Sequence, residues 1–156
     1  MEAAAAGSAV TVSDVAGAEQ QARRAKLYDA EIWPAYAARF TRLLLGRLQA
    51  RPGAHVVEVG CATGGLTREL ARRFGEDSQI TALDEAPAFL AEARAKIEDT
   101  PGSHARVTFV PEPGVPLKLP IETGTADTVV SNLTVAGCAN PPAAVREAVR
   151  LLRPGG

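Results

Sequence analysis

A carboxylate beside a run of glycines gives the sequence its clearest capacity for chemistry. Glu58 lies inside the apolar run 55–59 (HVVEV), and Gly60, Gly64 and Gly65 follow it. A buried carboxylate is costly unless it is paired or hydrogen-bonded, and a cationic ligand or an amino group would supply that partner. Glycines lack the Cβ that would keep the backbone from turning sharply or approaching a ligand. The stretch therefore predicts a ligand-binding turn.

A second acidic pair, Asp84-Glu85, lies roughly twenty residues beyond the glycines, at the end of the strand-like run 79–84. A carboxylate only accepts hydrogen bonds, and it can accept both hydroxyls of a ribose in a forked geometry. Asp is also a preferred residue at the start of a helix, so Asp84 could instead cap the helix that follows. The two acids could also divide these roles, with one on a ribose and the other at the helix start.

Alternating strand and helix patterns position these acids. The valines of run 55–59 are β-branched and nearly continuous, which is typical of a strand buried on both faces of a parallel sheet. Apolar residues then recur at helical spacing in 66–74, so the turn leads to a helix N-terminus with free N–H groups. Similar patterns predict further strands in 79–84, 105–110 and 124–133, with helices over 89–97 and after Asn140. An open parallel α/β sheet of this kind binds a nucleotide-like cofactor at the carboxyl ends of its strands.

The run Glu58-Val59-Gly60-Cys61-Ala62-Thr63-Gly64 resembles the first motif of the class I S-adenosylmethionine-dependent methyltransferases, acid-x-Gly-x-Gly-x-Gly, with Ala62 at the middle glycine. The run 150–156 (RLLRPGG) is similar to the family's leucine-x-proline-glycine-glycine turn. The joint match covers roughly residues 50–156. It implies a Rossmann-like open parallel sheet with flanking helices and the strand order 3-2-1-4. The family's complete order is 3-2-1-4-5-7-6, and this chain ends where the fifth strand is expected.

The resemblance also implies S-adenosyl-L-methionine as cofactor. In the family, the acid after the third strand often contacts the adenine amino group, which would be Glu112 here, although a solvent-facing loop glutamate is an equal alternative. Asn132 and Leu133 would lie opposite the glycine turn, near the methionine part of the cofactor, or Asn132 would cap the strand end. The implied cofactor-binding residues are Glu58, Gly60, Cys61, Ala62, Gly64, Asp84, Glu85, Glu112, Asn132 and Leu133. No catalytic base is assigned, because we interpret His55 and His104 as surface or packing residues.

The chain divides into three predicted parts. Residues 1–17 are expected to be a flexible tail, 18–50 to form N-terminal helices that cover the pocket, and 51–156 to form a cofactor-binding domain that is incomplete at its C-terminus. Trp33-Pro34 predicts a break, with a second helix beginning at Pro34, because the residue before proline avoids the helical region. Tyr28 and Tyr36 are candidates to line the pocket. For Tyr36 the helical stripe favours a core position.

Charge and cysteine content limit the function classes. Lys and Arg number 17 against 18 Asp and Glu, so no basic field favours nucleic acid as a partner. No apolar stretch is long enough to span a bilayer, and the N-terminus lacks signal-peptide features, so we expect a cytoplasmic protein. The two cysteines lack metal-ligand spacing, and no metal is expected. Cys61 is interpreted as a packing residue rather than a reactive thiol.

These observations predict an enzyme that transfers a methyl group from S-adenosylmethionine to a small-molecule acceptor. One alternative is a non-catalytic or fragmentary cofactor-binding module that needs another chain or further C-terminal strands. An exposed edge of the fourth strand would favour such association. A less favoured alternative is an NAD(P)-dependent oxidoreductase, since the glycine spacing departs from G-x-G-x-x-G and no Tyr-x-x-x-Lys follows the fourth strand.

Overall fold

The computed structural model describes residues 12–102, 104–112 and 118–156. Four parallel strands form one sheet in the order β3-β2-β1-β4. The strands are β1 His55–Val59, β2 Gln79–Asp84, β3 Arg106–Pro111 and β4 Thr128–Val130. The sheet confirms the predicted Rossmann-like α/β class and its 3-2-1-4 strand order.

The register of the sheet brings the ends of the strands to one edge. Val59 of β1 pairs with Leu83 of β2, and Asp84 pairs with Pro111 of β3. The carboxyl ends of these three strands are therefore level. The glycine turn, Asp84 and Glu112 all follow at this edge, where an open parallel sheet binds ligands.

Helices cover both faces of the sheet. They are α1 Val12–Leu27, a π-helical segment Tyr28–Ala37, α2 Ala38–Leu45, α3 Gly65–Phe74, α4 Pro87–Glu98, α5 Thr134–Gly137 and α6 Pro141–Leu151. On one face, Leu70 of α3 and Leu90 of α4 pack on Val56 and Ile80. On the other face, Leu151 of α6 joins Val57, Val59 and Leu83. Helix α6 begins as predicted, since the Asn140 side chain accepts a hydrogen bond from the Ala143 N–H at 3.1 Å.

The N-terminal helices differ from the prediction in two ways. Helix α1 begins at Val12, inside the stretch expected to be a tail, while residues 1–11 lie outside the described part of the chain. The predicted break at Trp33-Pro34 was wrong, because the chain remains helical through Pro34 in the π form. A proline removes one helical N–H and its ring crowds the preceding turn, and the wider π turn accommodates this disturbance without ending the helix.

Two further expectations concern exposure. Tyr36 is 55% exposed and contacts Phe40 edge-on, with 5.1 Å between ring centroids, so the core position predicted for it was wrong.

Strand β4 lies at the end of the sheet, but Ala126, which precedes it, bridges to Leu152 after α6. The residue after α6 therefore pairs with the chain just before β4. Association with another chain through the edge of β4 remains a prediction. None of the helices in the described ranges is long and apolar enough to cross a membrane.

Candidate functional site

The glycine turn between β1 and α3 packs so tightly that two of its positions have no room for a side chain. Gly60 has φ +76°, and a Cβ there would lie 1.9 Å from Thr134 Oγ1. Gly64 also has φ +76°, and a Cβ there would lie 2.8 Å from the Cβ of Ala93 in α4. The turn is fixed to β2 because the N–H groups of Gly60 and Cys61 both donate to the Leu83 carbonyl at 2.9 Å.

Ala62, which replaces the middle glycine of the motif, keeps the backbone conformation that glycine favours. Its φ is +47°, in the left-handed region, which costs a residue with a Cβ about 1–2 kcal/mol. Its N–H donates to Asp84 Oδ2 at 2.8 Å. This hydrogen bond compensates part of the strain of an alanine at a position where the motif has glycine.

Asp84 connects the ends of two elements through its two carboxylate oxygens. Oδ2 accepts from Ala62 in the glycine turn, and Oδ1 accepts from the N–H of Ala86 at 3.0 Å, just before α4. Asp84 thus fixes the chain just before α4 but does not cap that helix, whose N-cap residue is Ala86 and which has no side-chain cap hydrogen bond. Each oxygen has a second lone pair, so the carboxylate can still accept hydroxyls from a ligand.

A cleft of about 300 Å³ lies beyond the carboxyl ends of β1, β2 and β3, and we call it the cofactor cleft. It is lined by Gly60, Asp84, Glu85, Glu112, Thr134, Gly137, Cys138 and Ala139. The structure therefore brings four of the predicted site residues together. The last four lining residues were missed by the sequence analysis, because the short run after β4 carries no periodic pattern and no motif.

Glu112 is a buried acid at the inner side of the cofactor cleft, not a solvent-facing loop residue. It is 7% exposed, and its N–H donates to the Asp84 carbonyl at 3.1 Å. Burial raises the pKa of its carboxyl to about 6, with smaller contributions from Asp84 and Glu85. Its Oε2 atom is shielded from solvent and has no hydrogen-bond partner within the described ranges. Such an oxygen is suited to accept an N–H from a bound molecule.

Glu58 lies beneath the glycine turn rather than in the cleft. It is 1% exposed, and Thr67 Oγ1 of α3 donates to its Oε2 at 2.6 Å. Burial raises the pKa of Glu58 to about 7, and the Thr67 hydrogen bond opposes this rise. A positively charged group above the turn would favour the ionised carboxylate.

Cys61 is buried in the same turn, and burial raises the pKa of its thiol well above its ordinary range. The nearby Glu58 adds to that rise. A thiol that stays protonated is a poor nucleophile, so the structure agrees with a packing role. Within the described ranges, no group of three or more His, Cys, Asp or Glu side chains could hold a metal ion.

Asn132 and Leu133 do not line the cofactor cleft. The Asn132 Nδ2 donates to Thr41 Oγ1 at 3.0 Å and to the Ala37 carbonyl at 3.3 Å. Asn132 therefore connects the end of β4 to the N-terminal helices, a role that neither sequence interpretation gave it. Leu133 has φ +71° and precedes α5.

The N-terminal helices contact the glycine turn through residues that the sequence analysis did not single out. Asp29 accepts a hydrogen bond from Thr63 Oγ1 at 2.8 Å and pairs with Lys96 of α4. Lys96 Nζ also donates to the Thr63 carbonyl at 2.8 Å. Trp33 covers Gly65, where an added Cβ would lie 2.4 Å from the indole ring.

Tyr28, a candidate to line the pocket, packs on Phe89 with ring centroids 5.6 Å apart. Burial raises the pKa of its hydroxyl, and the charge of Asp84 contributes. The ring is therefore close enough to the acids of the cofactor cleft to be influenced by them, although it is not a lining residue of that cleft.

Comparison with known proteins agrees with this geometry. A family described as methyltransferase domain matches residues 56–156. The chain belongs to the class I S-adenosylmethionine-dependent methyltransferases. Its sheet order is that of the family's Rossmann-like fold, and S-adenosylmethionine is the cofactor of the family.

The similarity to individual methyltransferases is moderate. Malonyl-[acyl-carrier protein] O-methyltransferase of Enterobacter lignolyticus is 35% identical over 115 residues, which are 72% of this chain and 40% of that protein. 2-Phytyl-1,4-naphtoquinone methyltransferase of Thermosynechococcus vestitus is 34% identical over 109 residues, 70% of this chain and 46% of that protein. The chain thus spans less than half the length of both curated relatives.

A solved S-adenosylmethionine-dependent methyltransferase from Aquifex aeolicus superposes with a TM-score of 0.66 at 18% identity. The alignment covers 85% of this chain and 68% of that structure. At this identity the similarity concerns the fold alone.

Proposed function

We propose that the chain binds S-adenosylmethionine in the cofactor cleft and takes part in methyl transfer to a small-molecule acceptor. The observation that carries the proposal is the unpaired Oε2 of Glu112, buried beside Asp84 at the carboxyl edge of the sheet. An adenosine group offers both an amino N–H and two ribose hydroxyls. The amino N–H is a donor that Glu112 Oε2 lacks, and the hydroxyls suit the second lone pairs of the Asp84 carboxylate.

Five of the predicted site residues then have a part in holding the cofactor, together with Ala62 of the turn. Glu112 accepts the adenine amino group, and Asp84 accepts the ribose hydroxyls while it holds Ala62. Gly60 lets the ligand approach the backbone, and Glu85, exposed at the rim, is a second acceptor. Glu58 lies under the turn and supplies negative charge beneath the positively charged part of the ligand.

The cofactor supplies a methyl group on a positively charged sulfur, which is already a good leaving group. The chain therefore contributes orientation and exclusion of water more than acid–base chemistry. The π-helical segment and α2 are well placed to exclude water from the site. Asp29 and Trp33 connect the π-helical segment to the turn and the start of α3, and Asn132 connects the end of β4 to α2. We assign no residue as a general base.

Two further observations bear on the acceptor. The two curated relatives are named for methylation of a malonyl group on acyl-carrier protein and of a phytyl naphthoquinone. The formal charge of the chain is −1, without a basic field for nucleic acid. Both support a small-molecule acceptor, and the cytoplasmic location expected from the sequence is compatible with it.

A second candidate function is a cofactor-binding module that is inactive alone and needs a partner chain. Strand β4 lies at the end of the four-stranded sheet, where a strand from another chain could pair with it. The two candidates share cofactor binding and differ in turnover, so they can be separated by experiment.

The first test is calorimetric titration of S-adenosylhomocysteine into the chain. We expect micromolar affinity that falls about tenfold or more in Asp84→Ala, about 1.4 kcal/mol, and is unchanged in Asp77→Ala, an exposed acid just before the amino end of β2, the end of this strand opposite the cleft. NAD should not bind. A folded chain that binds no S-adenosylhomocysteine would contradict the proposal. Methyl transfer from labelled S-adenosylmethionine to a panel of acyl and quinone acceptors then separates the enzyme from the inactive module.

A further inference from the structure

A second cleft, of about 450 Å³, lies between α2 and the chain that follows β4, and we call it the α2 cleft. Its lining residues are Phe40, Leu43, Leu44, Arg47, Ser131, Asn132 and Leu133. One wall is formed by the apolar side chains of α2. Leu43 in this wall is 62% exposed, although a leucine gains from burial.

The apolar wall continues along the N-terminal helices. Ile32, Tyr36, Phe40 and Leu43 follow one another at spacings of three or four residues, which places them along one side of the helical segment. Ile32 and Tyr36 are 46% and 55% exposed. A contiguous exposed apolar surface of this kind marks a binding site more often than a free surface.

A positively charged side chain, that of Arg47, lies at the end of this apolar wall. Arg47 lines the α2 cleft, and its guanidinium has no ion-pair partner in the part of the chain that the structure describes. The run 38–47 contains three arginines and no acidic residue. An apolar surface that ends in an unpaired guanidinium is complementary to an apolar molecule with a carboxylate.

A polar group on the opposite side of the α2 cleft also lacks a partner. The Oγ of Ser131 is shielded from solvent and makes no hydrogen bond within the described ranges. Shielded hydroxyls nearly always have a partner, and a bound molecule could supply one. The α2 cleft therefore has two polar groups that a ligand could engage, the unpartnered hydroxyl of Ser131 and the exposed guanidinium of Arg47.

The α2 cleft adjoins the cofactor cleft. Leu133 lines the former and Thr134, the next residue, lines the latter. Only one peptide bond thus separates a lining residue of one cleft from a lining residue of the other. A molecule in the α2 cleft is next to the site proposed for the methyl donor.

We propose that the α2 cleft binds the methyl acceptor and that this acceptor is an apolar carboxylate. Its chain lies on Phe40, Leu43 and Leu44, and its carboxylate pairs with Arg47. This assignment rests on the proposed function, since an acceptor is needed only if the cofactor cleft holds S-adenosylmethionine.

The test compares decanoate with decanol, which has a chain of the same length and no charge. Calorimetry in the presence of saturating S-adenosylhomocysteine should show decanoate binding about tenfold more tightly than decanol. Arg47→Met should reduce decanoate affinity to that of decanol. Arg42→Met, an exposed arginine of α2 that does not line the cleft, is the matched control and should change neither affinity.

A second pair of variants tests the apolar wall. Leu43→Ser should weaken decanoate and decanol alike, about fivefold or more. Val149→Ser on α6 is the matched control, because Val149 and Leu43 are both 62% exposed. S-adenosylhomocysteine affinity should remain unchanged in all four variants, which shows that the cofactor cleft is intact.

Three results would overturn the assignment. The first is equal affinity for acid and alcohol, and the second is an equal effect of Arg42→Met and Arg47→Met. The third is a change of molecular mass in light scattering for Leu43→Ser without a change in decanoate binding, which would make this face a contact between copies of the chain. Decanoate binding without S-adenosylhomocysteine binding would overturn the proposed function, whereas the reverse result would overturn only the α2 cleft as the acceptor site.

Discussion

The carboxylate of Asp84 accepts the N–H of Ala62 at 2.8 Å, and in this way the acid at the end of β2 holds the residue of the glycine turn that departs from the motif. One side chain therefore has two tasks, because the same carboxylate faces the cofactor cleft. Any ligand that hydrogen-bonds this carboxylate is therefore coupled to the shape of the turn.

The left-handed backbone of Ala62 predicts an unusual response to glycine. Ala62→Gly should leave the free energy of unfolding unchanged or raise it by about 0.5–1 kcal/mol, because relief of strain at φ +47° offsets the added freedom of the unfolded chain. Ala91→Gly, on the exposed side of α4, should lower it by about 0.5–1 kcal/mol. Urea unfolding of both variants measures this difference. Equal destabilisation by the two glycines would show that Ala62 is unstrained.

The contact between Gly60 and Thr134 predicts that the first glycine of the turn cannot be replaced. In Gly60→Ala the new Cβ would lie 1.9 Å from Thr134 Oγ1, so α5 must move away from the turn. We expect S-adenosylhomocysteine affinity to fall about a hundredfold or more, which corresponds to about 2.7 kcal/mol. Gly137→Ala lines the same cleft but has nothing within 4 Å of the added Cβ, and it should retain the affinity. Similar losses in both variants would contradict this explanation.

The buried carboxyl of Glu58 predicts a pH-dependent stability. Its pKa in the folded chain is about 7, above the unfolded value, so its contribution is favourable below about pH 4.5 and is lost as the pH rises through 7. Glu58→Gln removes this titration, and at pH 8 it should be more stable than the unmodified chain by about 3 kcal/mol. Urea unfolding from pH 4.5 to 8 gives the two curves.

The same variant separates stability from binding. Because Glu58→Gln removes the negative charge beneath the turn, we expect it to bind S-adenosylhomocysteine less tightly even where it is more stable. Parallel pH curves for the two proteins would mean that Glu58 does not titrate in this range. Unchanged affinity would mean that its charge does not contribute to the cofactor cleft.

The contact of Asp29 and Lys96 with Thr63 predicts that two distant helices stabilise the turn together. In a double-mutant cycle of Asp29→Asn and Lys96→Met we expect a coupling of about 1 kcal/mol in the free energy of unfolding. The pair should also be coupled in S-adenosylhomocysteine affinity, since Thr63 belongs to the turn. Glu31→Gln, an exposed acid in the same π-helical segment, is the control and should have little effect. Strictly additive effects would show that the contact does not hold the turn.

The sheet could be predicted from the sequence because its strands carry dense local signals. The valines of β1 and the run 79–84 specify two buried strands, and the motif between them fixes where they end. Asp84 was predictable for the same reason, since the end of β2 determines its place. Glu112 was ambiguous in the sequence. The pairing of β2 with β3 and the hydrogen bond of its N–H to the Asp84 carbonyl place it at the cleft rather than in a solvent-facing loop.

The contacts of the N-terminal helices could not be predicted in this way. Asp29 and Lys96 are 67 residues apart in the chain, and charged residues on helices are normally solvated. Asn132 contacts Thr41 only because α2 docks over the end of β4. Tyr36 was expected in the core because a periodic apolar stripe usually faces inward, whereas here part of the stripe faces solvent. Docking of helices on a sheet depends on long-range packing, which local patterns do not encode.

The position of Trp33 over Gly65 has a practical consequence. The sequence contains one tryptophan, so light absorbed near 295 nm, roughly the red edge of indole absorption, excites this residue selectively. Its ring rests on the first residue of α3, directly after the glycine turn. The emission of the unlabelled chain therefore reports whether the N-terminal helices are seated on the turn, and stopped-flow mixing with a ligand can follow that seating in real time.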